Sequence, residues 1–317
     1  METRFGLADF TYFLSKFRTK LLGDLDLLDK VAEMDLDCFQ AGLATDMEDG
    51  GAEQRKALRE KSEALGIELI GAGGGQPTAE LFEKELEAAA EMGASIVRHA
   101  CALFRWHNPP APPEQLEKAL KAVEPKARDL GITIAIENHQ DYSCDELAGV
   151  MAAVDSPNIG VCLDTGNSMS MMEAPLRTAQ TLAPYAHDVH LKEYVLLPCP
   201  AGFSMVGVTL GQGIVDDRAI LDILRREAPA DPLHVTLENP LERCSTPILS
   251  SAYVETFGDR SFGDFAPLTE LIETSMEKYP DGITLPQEAG LSDEEIAAAE
   301  DEHNHDAVEY AREVLGL

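Results

Sequence analysis

The feature that most constrains this chain is an alternation. Eight short apolar runs recur along it, at 5–12, 35–42, 67–72, 95–102, 132–138, 159–164, 188–194 and 234–238. They are rich in Ile, Val and Leu and apolar in both phases of a strand, as strands of a parallel sheet covered on both faces are. Between them lie segments with helical spacing, at 25–34, 53–65, 80–92, 114–130, 145–154, 176–185 and 218–226. Pro112 and Pro113 open one of these, and Gly66, Gly93 and Gly131 each fall between a helix and the next strand, where a left-handed cap belongs. Eight such units predict an α/β protein with a (β/α)8 TIM-barrel fold. A doubly wound sheet would show a glycine-rich phosphate loop after its first strand, and Ala8-Asp9-Phe10-Thr11 is not one.

The chain has 317 residues, more than the roughly 250 a barrel needs. The surplus is legible after Glu238, where Pro240, Pro247, Gly263, Pro267, Pro280 and Pro286 interrupt the pattern. The next long helix runs over 293–315, with Ser292 as its cap and Asp293, Glu294 and Glu295 in its first turn. The expectation is a single barrel domain over 1–317, with 241–291 inserted between strand eight and helix eight as an active-face or interface loop. A short helix is expected inside it at 268–278. Phe257, Phe262 and Phe265 make the insertion apolar enough to suggest a homo-oligomer.

Charge narrows the function classes. There are 57 acidic and 25 basic residues, a net charge of −32. Such a surface repels polyanions, which excludes nucleic-acid binding by phosphate contacts and excludes a polybasic membrane anchor. Hydrophobic residues make up 44%, enough for a large core. No apolar stretch is long enough to span a membrane, and the N-terminus does not read as a secretory signal. The six cysteines form no CxxC pair, so they read as reduced thiols in a cytoplasmic protein. The acidic excess reads as a solvated skin suited to high salt, and His303 and His305, in the acidic last helix, are expected on its wet face.

Chemistry is expected where barrel strands end. Strands five to eight finish in Ile136-Glu137-Asn138-His139, Leu163-Asp164-Thr165-Gly166-Asn167, Val189-His190-Leu191-Lys192 and Leu237-Glu238-Asn239. Any one of these carboxylates alone reads as a cap or an ion-pair partner. Four ionisable residues at equivalent places in successive strands, each after an apolar run, read differently, because burying them ionised is costly without a counter-ion. Glu137, Asp164, His190 and Glu238 supply oxygen and nitrogen donors and no thiolate. That set suits one divalent ion, Mn²⁺ foremost and then Mg²⁺ or Co²⁺, better than structural zinc.

The same four segments resemble the xylose isomerase-like TIM-barrel superfamily, and within it the sugar phosphate isomerase/epimerase branch of D-tagatose 3-epimerase and inosose dehydratase type. Gly211-Gln212-Gly213-Ile214-Val215-Asp216 is similar to that branch's Gly-Glu-Gly-x-x-Asp segment. The resemblance implies that Glu137, Asp164, His190 and Glu238 hold one metal and that Glu137 and Glu238 double as base and acid. It implies a metal-dependent isomerase or epimerase acting on a keto-sugar or related polyol through an enediolate. The alternatives are a lyase (dehydratase or decarboxylase) on a keto-sugar or keto-inositol, and a non-catalytic carbohydrate-binding subunit. His99, Trp106, His139, Asn167 and Lys192 are the expected substrate contacts, with Trp106 stacking on a sugar face. Met169-Ser170-Met171-Met172 is expected either as an apolar lip over the site or as packing on the insertion. Asn167 stands where the DNA-repair branch places a histidine, and Leu196 stands where the epimerases place an arginine.

Overall fold

A strand that is apolar in both phases needs cover on both faces, and closing the sheet on itself supplies it. The structure, a computed structural model, describes residues 2–45, 51–257 and 261–317, without the side chains of residues 262 and 264. In chain order the strands are β1 (Thr3–Ala8), β2 (Cys38–Gly42), β3 (Glu68–Gly74), β4 (Ile96–Ala100), β5 (Thr133–Glu137), β6 (Ile159–Asp164), β7 (Ala186–Leu191), β8 (Tyr194–Cys199), β9 (Gly202–Gly207), β10 (Leu233–Leu237) and β11 (Arg243–Thr246). β1 to β7 and β10 form a closed parallel barrel, with β10 pairing to both β7 and β1.

Alternation along each strand sorts its side chains. Phe39, Leu69, Val97, Ile134, Ile136, Val161, Leu163, Val189, Val235 and Leu237 join the large apolar cluster shared with the helices. The opposite phase faces the barrel interior, where Cys38, Ile70, Ile96, Ala135 and Cys162 form a smaller cluster. Gln40, Arg98, Glu137, Asp164 and His190 share that interior phase. Seven helices follow the strands: α1 (Asp24–Glu33), α2 (Gly51–Leu65), α3 (Ala79–Met92), α4 (Pro113–Leu130), α5 (Cys144–Val154), α6 (Pro175–Leu182) and α7 (Asp217–Glu227). Gly66, Gly93 and Gly131 take φ of +73°, +79° and +67°, the left-handed backbone that ends a helix where a side chain would strain it.

Between β10 and the last long helix lie β11, α8 (Ser251–Thr256) and α9 (Phe262–Lys278). The last helix, α10 (Asp293–Tyr310), is capped by Ser292, whose side chain accepts from the Glu295 N–H while Glu295 reaches back to the Ser292 N–H. The surplus is not confined to that stretch. β8 and β9 form a hairpin directly after β7, and β11 pairs antiparallel with β9 to make a second, three-stranded sheet. The expected seventh strand, 188–194, is thus two elements. It ends at Leu191, and Tyr194 begins the hairpin. Apolar residues on both sides of the break conceal it. The first strand likewise ends at Ala8, because Asp9–Tyr12 coils into a single 3-10 turn.

The added elements pack over the ends of the barrel strands. Tyr194, Leu196, Phe203, Met205, Met169 and Leu268 form one cluster, and Phe265 packs beside Phe203 with ring centroids 6.3 Å apart. Trp106, Met171, Tyr253 and Phe257 form another, and the Tyr253 hydroxyl donates to the Ser170 carbonyl at 2.7 Å. Met169 and Met171 therefore pack on these elements. Phe257 and Phe265, two of the aromatics that suggested a subunit contact, are used within the chain, and the Phe262 side chain lies outside the described residues. His303 corrects a further expectation: it is buried, with Nδ1 3.0 Å from the Thr209 hydroxyl and Nε2 2.8 Å from the Asn239 carbonyl.

Candidate metal centre

Register brings the four strand-end residues to one level. Asp164 pairs across from His190, and His190 across from Thr236, so Glu238 stands just beyond it. Glu137, Asp164, His190 and Glu238 are all buried, and one donor atom from each lies within 4.8 Å of the others. His190 Nδ1 is 2.7 Å from Glu238 Oε2, 3.5 Å from Glu137 Oε1 and 3.8 Å from Asp164 Oδ2.

Each ligand has one atom tied and one left over. Asp164 Oδ1 accepts the Gly166 and Asn167 N–H groups at 2.8 and 2.7 Å. Glu137 Oε1 accepts from the Asn167 amide at 2.9 Å. His190 Nε2 is 3.0 Å from Gln40 Oε1, which must accept, so Nε2 carries a proton and Nδ1 is the atom turned to the carboxylates. Glu238 Oε1 lies 3.4 Å from an Arg98 nitrogen. The remaining atoms, Glu137 Oε2, Asp164 Oδ2, His190 Nδ1 and Glu238 Oε2, are buried without an aligned hydrogen bond. Arg98 and Lys192 stand at ion-pair distance from three of them. Buried polar atoms left over on all four residues at one point fit a cation.

Two side-chain cations complete the site. Lys192 Nζ is 3.0 Å from both Asp164 Oδ2 and Glu238 Oε2, and it donates to Asn167 Oδ1 at 3.3 Å. Arg98 Nε is 3.0 Å from Glu137 Oε2. Burial works to raise the Glu137 pKa, but Arg98, His139 and His190 outweigh it and hold the carboxyl well below its usual range. Burial also opposes ionisation of Glu238, and His190 and Lys192 again win. Lys192 stays protonated for the mirror-image reason: burial favours the neutral amine, and Asp164 and Glu238 overcome it.

Of the expected substrate contacts, Asn167 and Lys192 join this cluster. His139 follows it, with Nδ1 buried and unpartnered and its basicity reduced by burial. His99 and Trp106 do not join it. His99 takes the helix-facing phase of β4, with Nδ1 2.8 Å from Glu85 and Nε2 3.0 Å from the Gly75 carbonyl, so both ring nitrogens are engaged. Its neighbour Arg98 takes the interior phase instead. Trp106 is 6% exposed and packs on Tyr253 at 5.1 Å between centroids. Sequence reading put Arg98 on the substrate side of the rim beside His99 without assigning it a contact, and it missed Gln40 and the positioning role of Asn138. Asn138 accepts the Asp164 N–H at 2.8 Å and donates to the Asp164 carbonyl at 2.9 Å, which locks β5 to β6.

A second buried acidic pair lies beside the site. Glu193 accepts the Val215 and Gly211 N–H groups at 3.0 and 3.2 Å, and burial pushes its pKa up to about 7. Gly213 lets this loop close in, since a Cβ there would stand 2.1 Å from Glu193 Oε1. Asp217 is buried next to Glu193 and is also raised, by burial and then by Glu193. Cys162, Asp188 and His190 make another compact group among the described residues, but burial keeps the Cys162 thiol well above its usual pKa and so protonated.

A buried carboxylate–imidazole cluster at the ends of the strands, able to hold a metal ion, defines this chain as a (β/α)8 barrel with a candidate metal centre. The chain belongs to the xylose isomerase-like TIM barrel family, whose sequence model matches residues 28–246. It is 25% identical over 224 residues to 3-oxo-isoapionate decarboxylase of Pectobacterium atrosepticum, covering 69% of this chain and 80% of that protein. The fold is similar to a D-psicose 3-epimerase crystallised in the presence of D-fructose, with a TM-score of 0.65, 16% identity, and coverage of 99% of this chain and 100% of the other. It is also similar to the IOLI protein with a bound zinc atom, with a TM-score of 0.55, 13% identity, and coverage of 89% and 100%. No described helix is long and apolar enough to cross a membrane.

Proposed function

We propose that this chain is a divalent-metal enzyme that enolises a sugar-derived ketone and returns the proton, acting as an isomerase or epimerase on a keto-sugar or related polyol. The observation that carries this reading is the set of four leftover donor atoms on Glu137, Asp164, His190 and Glu238. Three carboxylates and one imidazole suit Mn²⁺, with Mg²⁺ or Co²⁺ as alternatives. A divalent ion there supplies a Lewis acid that stabilises negative charge on a ketone oxygen. Glu137 on β5 and Glu238 beyond β10 stand at opposite ends of the ligand arc. One carboxylate takes the proton from the carbon beside the ketone, and the other returns one from the opposite face with inverted configuration. Both begin ionised, so the base is ready without a prior proton loss, and the returning glutamate must first take a proton from a water that enters with the substrate. The surrounding burial excludes bulk water and strengthens these interactions. Asn167 and Lys192 hold the substrate oxygens. The partner is a small sugar-like molecule, and six free thiols support a reducing, cytoplasmic setting.

Decarboxylation is the second reading, supported by the decarboxylase relative. There the bond between the carboxylate and the carbon beside the ketone breaks, its electron pair moves onto the ketone oxygen to form the same enediolate, carbon dioxide leaves, and a glutamate that has taken a proton from water protonates that carbon. The test is proton NMR of Mn²⁺-loaded protein with a panel of ketoses and keto-acids in deuterium oxide. We expect metal-dependent deuterium uptake beside a carbonyl, and loss of mass as carbon dioxide if the second reading holds. A fully metal-loaded protein that exchanges nothing across the panel would sink both.

A further inference from the structure

Resting on the metal reading above, we infer that the substrate is an anion, a sugar-derived oxo acid whose carboxylate is received by Lys192 and Arg98. The observation is a charge count inside a buried site. Three carboxylates, Glu137, Asp164 and Glu238, face two fixed side-chain cations. Of the other acids near Arg98, Asp9 pairs with Lys16, which it shares with Asp24. Without a metal, a proton on His190 Nδ1, 2.7 Å from Glu238 Oε2, balances this cluster. A divalent ion that takes the place of that proton leaves an excess of one positive charge. Burying an unbalanced charge is costly, so the assembled site favours a ligand that brings one negative charge with it. A neutral ketose leaves the excess in place.

Geometry says where the anion goes. Arg98 comes from β4, outside the ligand arc, and its guanidinium spans from Glu137 to Glu238, across the mouth between β5 and β10. Lys192 stands on the other flank, just past β7, touching Asp164 and Glu238. A divalent ion competes with both cations for the same carboxylate oxygens. The N–H groups it frees are those of a guanidinium, built for bidentate pairing with a carboxylate, and of an ammonium. Each keeps a second hold on the protein that the ion does not contest: Arg98 on the Gly73 carbonyl at 3.3 Å and Lys192 on Asn167 Oδ1 at 3.3 Å. They therefore remain at the mouth as an anion-receiving pair.

The test compares hydroxypyruvate with dihydroxyacetone, which differ by a carboxylate against a hydroxymethyl group. Titration calorimetry on Mn²⁺-loaded protein should show hydroxypyruvate bound about tenfold tighter or more. The preference should vanish in the metal-stripped protein and collapse in Lys192→Met and in Arg98→Leu. Circular dichroism and manganese stoichiometry show whether each variant still folds and loads. Should either fail to fold, the wild-type comparison with and without metal decides. Equal affinity for both probes on loaded wild type overturns this inference and leaves the metal reading standing. Failure of wild type to take up a stoichiometric divalent ion overturns both.

Discussion

Glu238 and Glu193 are both buried glutamates just beyond the ends of barrel strands, yet their surroundings drive them in opposite directions. Glu238 faces His190 and Lys192 and is held ionised despite burial. Glu193 faces backbone N–H groups of a tight glycine loop, and burial wins, lifting its pKa to about 7. Amide dipoles satisfy a carboxyl's hydrogen bonds without supplying a full counter-charge, whereas an ammonium or imidazolium supplies both. The first cluster keeps its charge despite burial. The second uses an acid as a post around which the 211–217 segment folds.

Mutating each cluster sharpens the contrast. Glu137→Gln and Glu238→Gln should each cut turnover by about a hundredfold or more, with circular dichroism unchanged. Turnover that survives either change would break the assignment of base and acid, and would favour a binding subunit. Glu193→Gln should keep the metal and most of the turnover, and its effect should appear in the pH dependence of stability. The folded pKa of Glu193 is above the ordinary glutamate value, so its contribution is fully present below about pH 4.5 and is lost as pH rises through about 7. Wild type should lose on the order of 3 kcal/mol across that window through this group. Urea midpoints on either side of the window should show a shallower slope in the variant. An unchanged slope would mean that the loop is not organised around this acid. The smallest effect concerns the surface. Both clusters are buried beyond the reach of salt screening, so adding KCl should raise the melting temperature by a few degrees, equally in wild type and Glu193→Gln, through the −32 skin alone.

The barrel was readable because parallel strands buried on both faces leave long apolar runs that helices with glycine caps separate. The buried cluster was readable because a charged residue ending such a run has few benign explanations, and four in succession have fewer. Arg98 was passed over in favour of His99 for the same reason the strands were found. When both faces of β4 are buried, hydropathy does not say which of Arg98 and His99 points inward. Only pairing decides it, since Arg98 aligns with Ala135, in the phase of Glu137, and His99 aligns with Ile136. Gln40 was missed because its task depends on a residue 150 positions away.

The rim sheet was missed because β8 continues the apolar run of β7 after a two-residue break. Its partner β11 lies beyond β10, so no local signal links them. What the chain's order of residues determined by itself was the repeat, the closure of eight strands into a barrel, and the kind of atoms gathered at one end. Periodicity and residue type are local properties, and they survive without coordinates. Tertiary structure alone decided which face of each strand met the axis, which buried acid kept its charge and which gave it up, and where the surplus chain came to rest. Those outcomes depend on registers and distances between residues far apart in the chain.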